Sequence, residues 1–173
     1  MHAFEPAAAC LPPLRAAVGP VGSASELSYQ DLLAPLPPPA ASQLLAREYD
    51  AVILGWGSIS HVLEARTRTQ LVQLCARLCP RGPILLSFAF GSETEAARQS
   101  RAFALGARLG ARLARLRDLQ APQAAERERF WPHAGFVHLF SAQELQQLAA
   151  AAGRRPQLRE GPYPHAVLRP AAA

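Results

Sequence analysis

The chain is predicted to be an α/β protein built on a mostly parallel sheet, with helices on both faces and a closing antiparallel hairpin. Two observations carry this. Tyr49 to Leu54 and Ile84 to Phe90 are apolar runs, and the segment between them, His61 to Cys79, has helical spacing. Strand, helix, strand of this length is the βαβ unit, which implies parallel strands joined by a right-handed crossover. Further on, a helix starting at Ser141 is followed by two extended segments, 157–160 and 166–169, around Gly161-Pro162-Tyr163-Pro164. Their short separation predicts an antiparallel pair.

The elements follow in order. His2 to Glu5 is a short strand, and Pro6 to Val18 a helix broken or restarted at Pro12-Pro13. A weak strand runs through Val21 to Glu26, then a polar turn around Ser28-Tyr29-Gln30-Asp31. Pro35 to Pro39 is a bend that no helix survives, because proline lacks the backbone N–H and clashes with the preceding turn. Leu44 to Glu48 reads as a helical turn. The strand at Tyr49–Leu54 ends in Gly55-Trp56-Gly57-Ser58 and, being continuously apolar, is expected to be buried on both faces. Leu71, Leu74, Cys75 and Leu78 form the stripe of the next helix, which Pro80-Arg81-Gly82-Pro83 stops. Thr94 to Leu119 has a leucine stripe with an arginine row beside it, and residues 91–134 as a whole read as a helical insertion or lid. Ser141 and Glu144 have capping-box spacing, Phe140 and Leu145 that of a hydrophobic staple, and Gly153 is the expected left-handed stop.

Composition narrows the function. Half of the 173 residues are apolar, enough for the core of one domain, taken to span 1–173. No run of eighteen apolar residues exists, so no membrane span is expected. Met1 to Pro6 lacks the basic start of a signal peptide, and a cytoplasmic location is expected. The net charge of +5 comes entirely from arginine, among many alanines, leucines and prolines. That bias fits a GC-rich coding sequence better than a nucleic-acid surface, whose interleaved aromatics are missing. Cys75 and Cys79 share a helix face and read as small buried hydrophobes, and no metal is expected.

His2-Ala3-Phe4-Glu5-Pro6, Tyr49 to Ser60, Cys79 to Phe88 and Gly135 to Gly153, in this order and spacing, resemble the class I (Rossmann-like) S-adenosylmethionine-dependent methyltransferases. The resemblance starts at that family's second strand. It implies a truncated domain without the first strand, glycine-rich loop and helix. Ligands of open α/β sheets sit beyond the carboxyl ends of the strands. There Glu5 is positioned to accept hydrogen bonds from ribose hydroxyls, although an acid beside Pro6 also suits a helix start. Ser28 and Tyr29 fall where the family lines the adenine, or form an exposed turn. Gly55, Trp56 and Gly57 fall beneath the cofactor's methionine part. The glycines permit close backbone approach, and the indole is either a pocket wall facing the sulfonium or a core tryptophan at a tight turn.

Methyl transfer needs alignment and exclusion of water, and a base only where the acceptor must lose a proton. His61, His138 and His165, with Tyr163 as a polar contact, are the candidates. The expected activity is methylation of a small-molecule acceptor by the full-length protein. In this truncated chain, S-adenosylmethionine binding is expected to be weak or absent. The alternative is a catalytically silent, methyltransferase-like partner subunit acting by protein–protein interaction, with a partner protein supplying the missing strand.

Overall fold

In the computed structural model, residues 1–90, 109, 112, 128–131 and 135–171 are described. The Thr94–Leu119 helix and its arginine row lie outside them, apart from Leu109 and Arg112, both helical and exposed. The chain divides into two compact units, Met1–Tyr49 and Asp50–Ala173.

In the first unit, β1 (His2–Glu5) pairs in parallel with β2 (Ser23–Glu26), residue for residue from His2 opposite Ser23 to Glu5 opposite Glu26. The connection carries a 3-10 turn at Ala8–Cys10 and helix α1 (Leu11–Val18). Pro12 and Pro13 stand in the first turn of α1 and do not break it, since the N–H groups they lack have no helical partner there anyway. Gly22 fits only because it has no side chain: a Cβ would lie 2.4 Å from the Met1 carbonyl oxygen and 2.2 Å from Val18. Helices α2 (Tyr29–Leu33) and α3 (Pro39–Leu45) complete the unit. The expected polar turn at Ser28–Asp31 is thus the start of a helix, and of the helical turn expected at Leu44–Glu48 only Leu44 and Leu45 are helical, at the end of α3.

The second unit holds a four-stranded sheet in the order β3 (Val52–Leu54), β4 (Ile84–Ser87), β8 (His165–Pro170), β7 (Arg154–Arg159). β3 and β4 are parallel, joined through α4 (Ala65–Leu78), while β7 and β8 form the expected antiparallel hairpin. Register splits the residues into two faces. Leu54, Ile84, Leu86, Ala166 and Leu168 are fully buried, on the side where Leu71, Val72, Leu74 and Cys75 of α4 and Leu145 and Ala149 of α5 (Ala142–Ala151) supply the core. Burial pushes the Cys75 thiol up to about 12, so it stays an inert apolar group; it and Cys79 are both free and buried. On the opposite face Ile53 is 68% exposed, so β3 is not buried on both sides as its apolar run suggested. Beside this sheet, β5 (Glu128–Trp131) and β6 (Gly135–His138) pair antiparallel. β5 falls inside the stretch expected to be helical; its charged Glu128-Arg129 start hides the alternation a strand would show.

Candidate functional site

At the carboxyl ends of β1 and β2, three of the expected site residues come together. The Glu5 backbone carbonyl accepts from the Leu27 N–H, holding the chain as it leaves β2 against the end of β1. Ser28 follows at once and caps α2. Its hydroxyl accepts from the Asp31 N–H at 3.2 Å, and Asp31 accepts in return from the Ser28 N–H at 2.7 Å and hydroxyl at 2.6 Å. These bonds hold the Asp31 carboxyl below its usual range. Asp31 is therefore occupied by the helix start. Tyr29 stacks edge-on against Phe4, ring centroids 5.7 Å apart. One Glu5 carboxylate oxygen accepts from the Ala7 N–H at 3.0 Å, and the residue is half-buried.

In the second unit the turn after β3 stands at the carboxyl rim of the parallel pair. The Gly57 N–H donates to the Ser87 hydroxyl at 2.7 Å, and the buried Ser60 hydroxyl accepts from the Ala89 N–H at 2.8 Å, so two hydroxyl contacts tie the exit of β3 to that of β4. Gly57 is left-handed (φ 68°) and so is Trp56 (φ 55°), whose side chain is fully exposed. Trp56 is no core tryptophan. His165 lies opposite Ser87 in register, which brings the hairpin tip to this same rim, with Tyr163 exposed and its carbonyl oxygen 3.0 Å from His165 Nδ1. His61 ends the 3-10 turn Ser58–His61, which packs on β6, and is exposed.

Only His138 among the four acid–base candidates is buried and paired. The Phe140 N–H donates to Ala89 O at 2.9 Å, docking the chain beyond β6 on the exit of β4. His138 Nε2 sits 2.8 and 2.9 Å from the two Glu144 oxygens. A carboxylate only accepts, so Nε2 carries the proton, and Nδ1, which has no partner among the described residues, is left as the basic nitrogen. Arg68 Nη2 donates to Glu144 at 2.9 Å, while its Nη1 donates to Val62 O and Leu63 O and its guanidinium lies 5.5 Å from the Phe140 ring centre. Burial alone raises the Glu144 pKa; the bonds from His138 and Arg68 outweigh it and set it lower than usual. The trio borders an open groove of about 610 Å³ between α4 and α5, with Thr69, Gln143 and Gln147 on its walls. Arg68 was missed in the sequence, and Glu144 was read only as a cap. Arg68 and Glu144 are 76 positions apart, and an arginine on a helix otherwise reads as solvated. Among the described residues no three metal-ligating side chains gather, and no helix is long and apolar enough to cross a membrane.

No family model and no curated protein sequence matches the chain. Solved structures do. DesVI of Streptomyces venezuelae is 14% identical, over 98% of this chain and 74% of its own, with a TM-score of 0.62. The sugar N-methyltransferase KedS8 of Streptoalloteichus sp ATCC 53650 is 14% identical over 99% of this chain and 71% of its own (TM-score 0.59). CalS10, an amino pentose methyltransferase of Micromonospora echinaspora solved with S-adenosylmethionine bound, is 13% identical over 97% and 73% (TM-score 0.58). Across nearly its whole length, then, the chain has the Rossmann-like α/β fold of class I S-adenosylmethionine-dependent methyltransferases.

Proposed function

We propose that the full-length protein transfers a methyl group from S-adenosylmethionine to a small-molecule acceptor, and that these 173 residues by themselves bind the cofactor weakly or not at all. Trp56 is the observation that carries this reading. A left-handed backbone costs a bulky residue roughly 1–2 kcal/mol. Leaving its ring in water forgoes a further ~2 kcal/mol of burial. Folding gains nothing from either, whereas a ligand seated over the indole would reward both, and a sulfonium is attracted to the face of an indole. Strain of this kind, at the carboxyl rim of a parallel pair, is where a binding contact is expected.

In this reading Glu5 accepts from the ribose hydroxyls, Ser28 and Tyr29 line the adenine, and Gly55, Trp56 and Gly57 pass under the methionine part. S-adenosylmethionine supplies a methyl carbon already activated by its sulfonium. His138 takes the proton an acceptor releases, onto Nδ1, with Glu144 fixing the tautomer and Arg68 fixing Glu144. His61, Tyr163 and His165 are left as contacts to the acceptor. The likeness to a sugar N-methyltransferase and an amino pentose methyltransferase favours a small acceptor. The chain is treated as one methyltransferase-like domain, with 91–134 as an insertion over the acceptor.

Calorimetric titration tests the proposal. S-adenosylmethionine should bind the longest product of the reading frame with micromolar affinity, and the 173-residue chain far more weakly. Glu5→Gln and Trp56→Ala should each weaken the longer product by tenfold or more, since each removes a contact worth ~1.4 kcal/mol or above. Micromolar binding by the 173-residue chain overturns the claim about the isolated chain; no binding by any product overturns the methyltransferase reading. The second reading, a silent partner subunit, is favoured by β3, which pairs with a single strand among the described residues. It predicts a co-purifying hetero-oligomer whose formation does not respond to the cofactor.

A further inference from the structure

The turn after β3 is built against local preference. Gly55-Trp56-Gly57-Ser58 closes with the Ser58 N–H donating to Gly55 O at 3.0 Å, and both central residues have positive φ. Turns of that kind favour asparagine followed by glycine, because a left-handed backbone crowds a Cβ. Glycine suits the second place; tryptophan does not suit the first. Such a conformation persists only where its surroundings over-determine it. Within the segment, the Ser60 N–H donates to Gly57 O at 2.9 Å. A further bond comes from another strand. The Gly57 N–H, which a β-turn leaves without a partner of its own, donates to Ser87 Oγ at 2.7 Å, from 30 positions away at the end of β4. That N–H belongs to the planar peptide joining Trp56 to Gly57, so the bond fixes the plane from which the tryptophan is carried. Ser87 is half-buried and anchored in the sheet opposite His165. The other hydroxyl contact at this rim, Ser60 to the Ala89 N–H, takes hold beyond the turn.

We propose that Ser87 is a positioning residue for the cofactor: by accepting from the Gly57 N–H it holds the Trp56 backbone left-handed and so aims the indole at the sulfonium of S-adenosylmethionine. The inference deepens the methyl-transfer reading and rests on it, since there Gly55, Trp56 and Gly57 pass under the methionine part. Ser87 touches no cofactor atom in this scheme; its whole effect passes through Trp56. A hydroxyl on a rigid strand thus sets the conformation of a turn whose own sequence disfavours it.

The test uses a matched pair, Ser87→Val and Ser87→Thr, nearly equal in shape but differing in the accepting oxygen. Calorimetric titration of the longest product of the reading frame should show S-adenosylmethionine affinity reduced about fivefold or more in Ser87→Val, the effect of one hydrogen bond, and close to wild type in Ser87→Thr. A double-mutant cycle separates positioning from a purely structural role. In a Trp56→Ala background Ser87→Val should cost nothing further, because the side chain it aims is gone. Hydrogen exchange at the Gly57 amide, followed by NMR on the 173-residue chain, should quicken in Ser87→Val and not in Ser87→Thr. Thermal unfolding verifies that the variants are folded at the titration temperature. Additive losses in the cycle overturn the proposal, as does a Gly57 amide indifferent to the hydroxyl. Should no product bind the cofactor, the methyltransferase reading falls and this inference with it; binding that ignores Ser87→Val sinks this inference alone.

Discussion

At the scale of single residues, three positions decide local geometry. Trp56 is expected to be dispensable for folding: Trp56→Asn, which tolerates the left-handed conformation, should leave the urea midpoint unchanged or raise it, where a packed tryptophan would cost about 3–5 kcal/mol. Gly82 is needed for close approach, since a Cβ there would sit 1.9 Å from Asp50 O. Gly82→Ala should lower stability by roughly 1–3 kcal/mol in chemical denaturation, as the strand entry and the turn are forced apart. Arg154 is buried, and its guanidinium donates to Gly82 O (2.8 Å), Ala76 O (3.0 Å) and Cys79 O (2.7 Å), closing the carboxyl end of α4. Arg154→Met should cost about 3 kcal/mol by thermal unfolding, because several buried carbonyls lose a charged donor at once. Neither the glycine clash nor the arginine's partners are visible in sequence, for each joins segments brought together only by folding.

At the scale of elements, local signals were legible where they act locally. Ser141 caps α5 as expected, its hydroxyl accepting from the Glu144 N–H at 3.1 Å. Gly153 is left-handed (φ 66°) just beyond the end of α5. Ser141→Ala should cost about 1 kcal/mol, measured by urea unfolding. The Glu144 carboxylate, however, turns to His138 and Arg68, so the reciprocal half of the capping box is given up to a tertiary network. At Ser28 the reverse happened: both halves of a capping box form, on a segment read as a turn, because a helix of five residues is too short to show a period.

At the scale of the molecule, Glu144 links α4, β6 and α5, and this sets a pH dependence. Its folded pKa is lower than usual, so its contribution to stability is present above the unfolded value and lost as pH falls through the folded one. The thermal midpoint should therefore drop below about pH 4, and Glu144→Gln should flatten that drop while lowering the midpoint at neutral pH. The βαβ unit, the closing hairpin and the helix ends were written in the sequence, because apolar period, capping residues and glycine or proline stops act over a few neighbouring positions. Which residues meet was decided by tertiary structure alone. The burial of Arg68 and the pairing of His138 with Glu144 both depend on contacts between distant segments. Strand register then determines which side chains share a face and so which groups become neighbours.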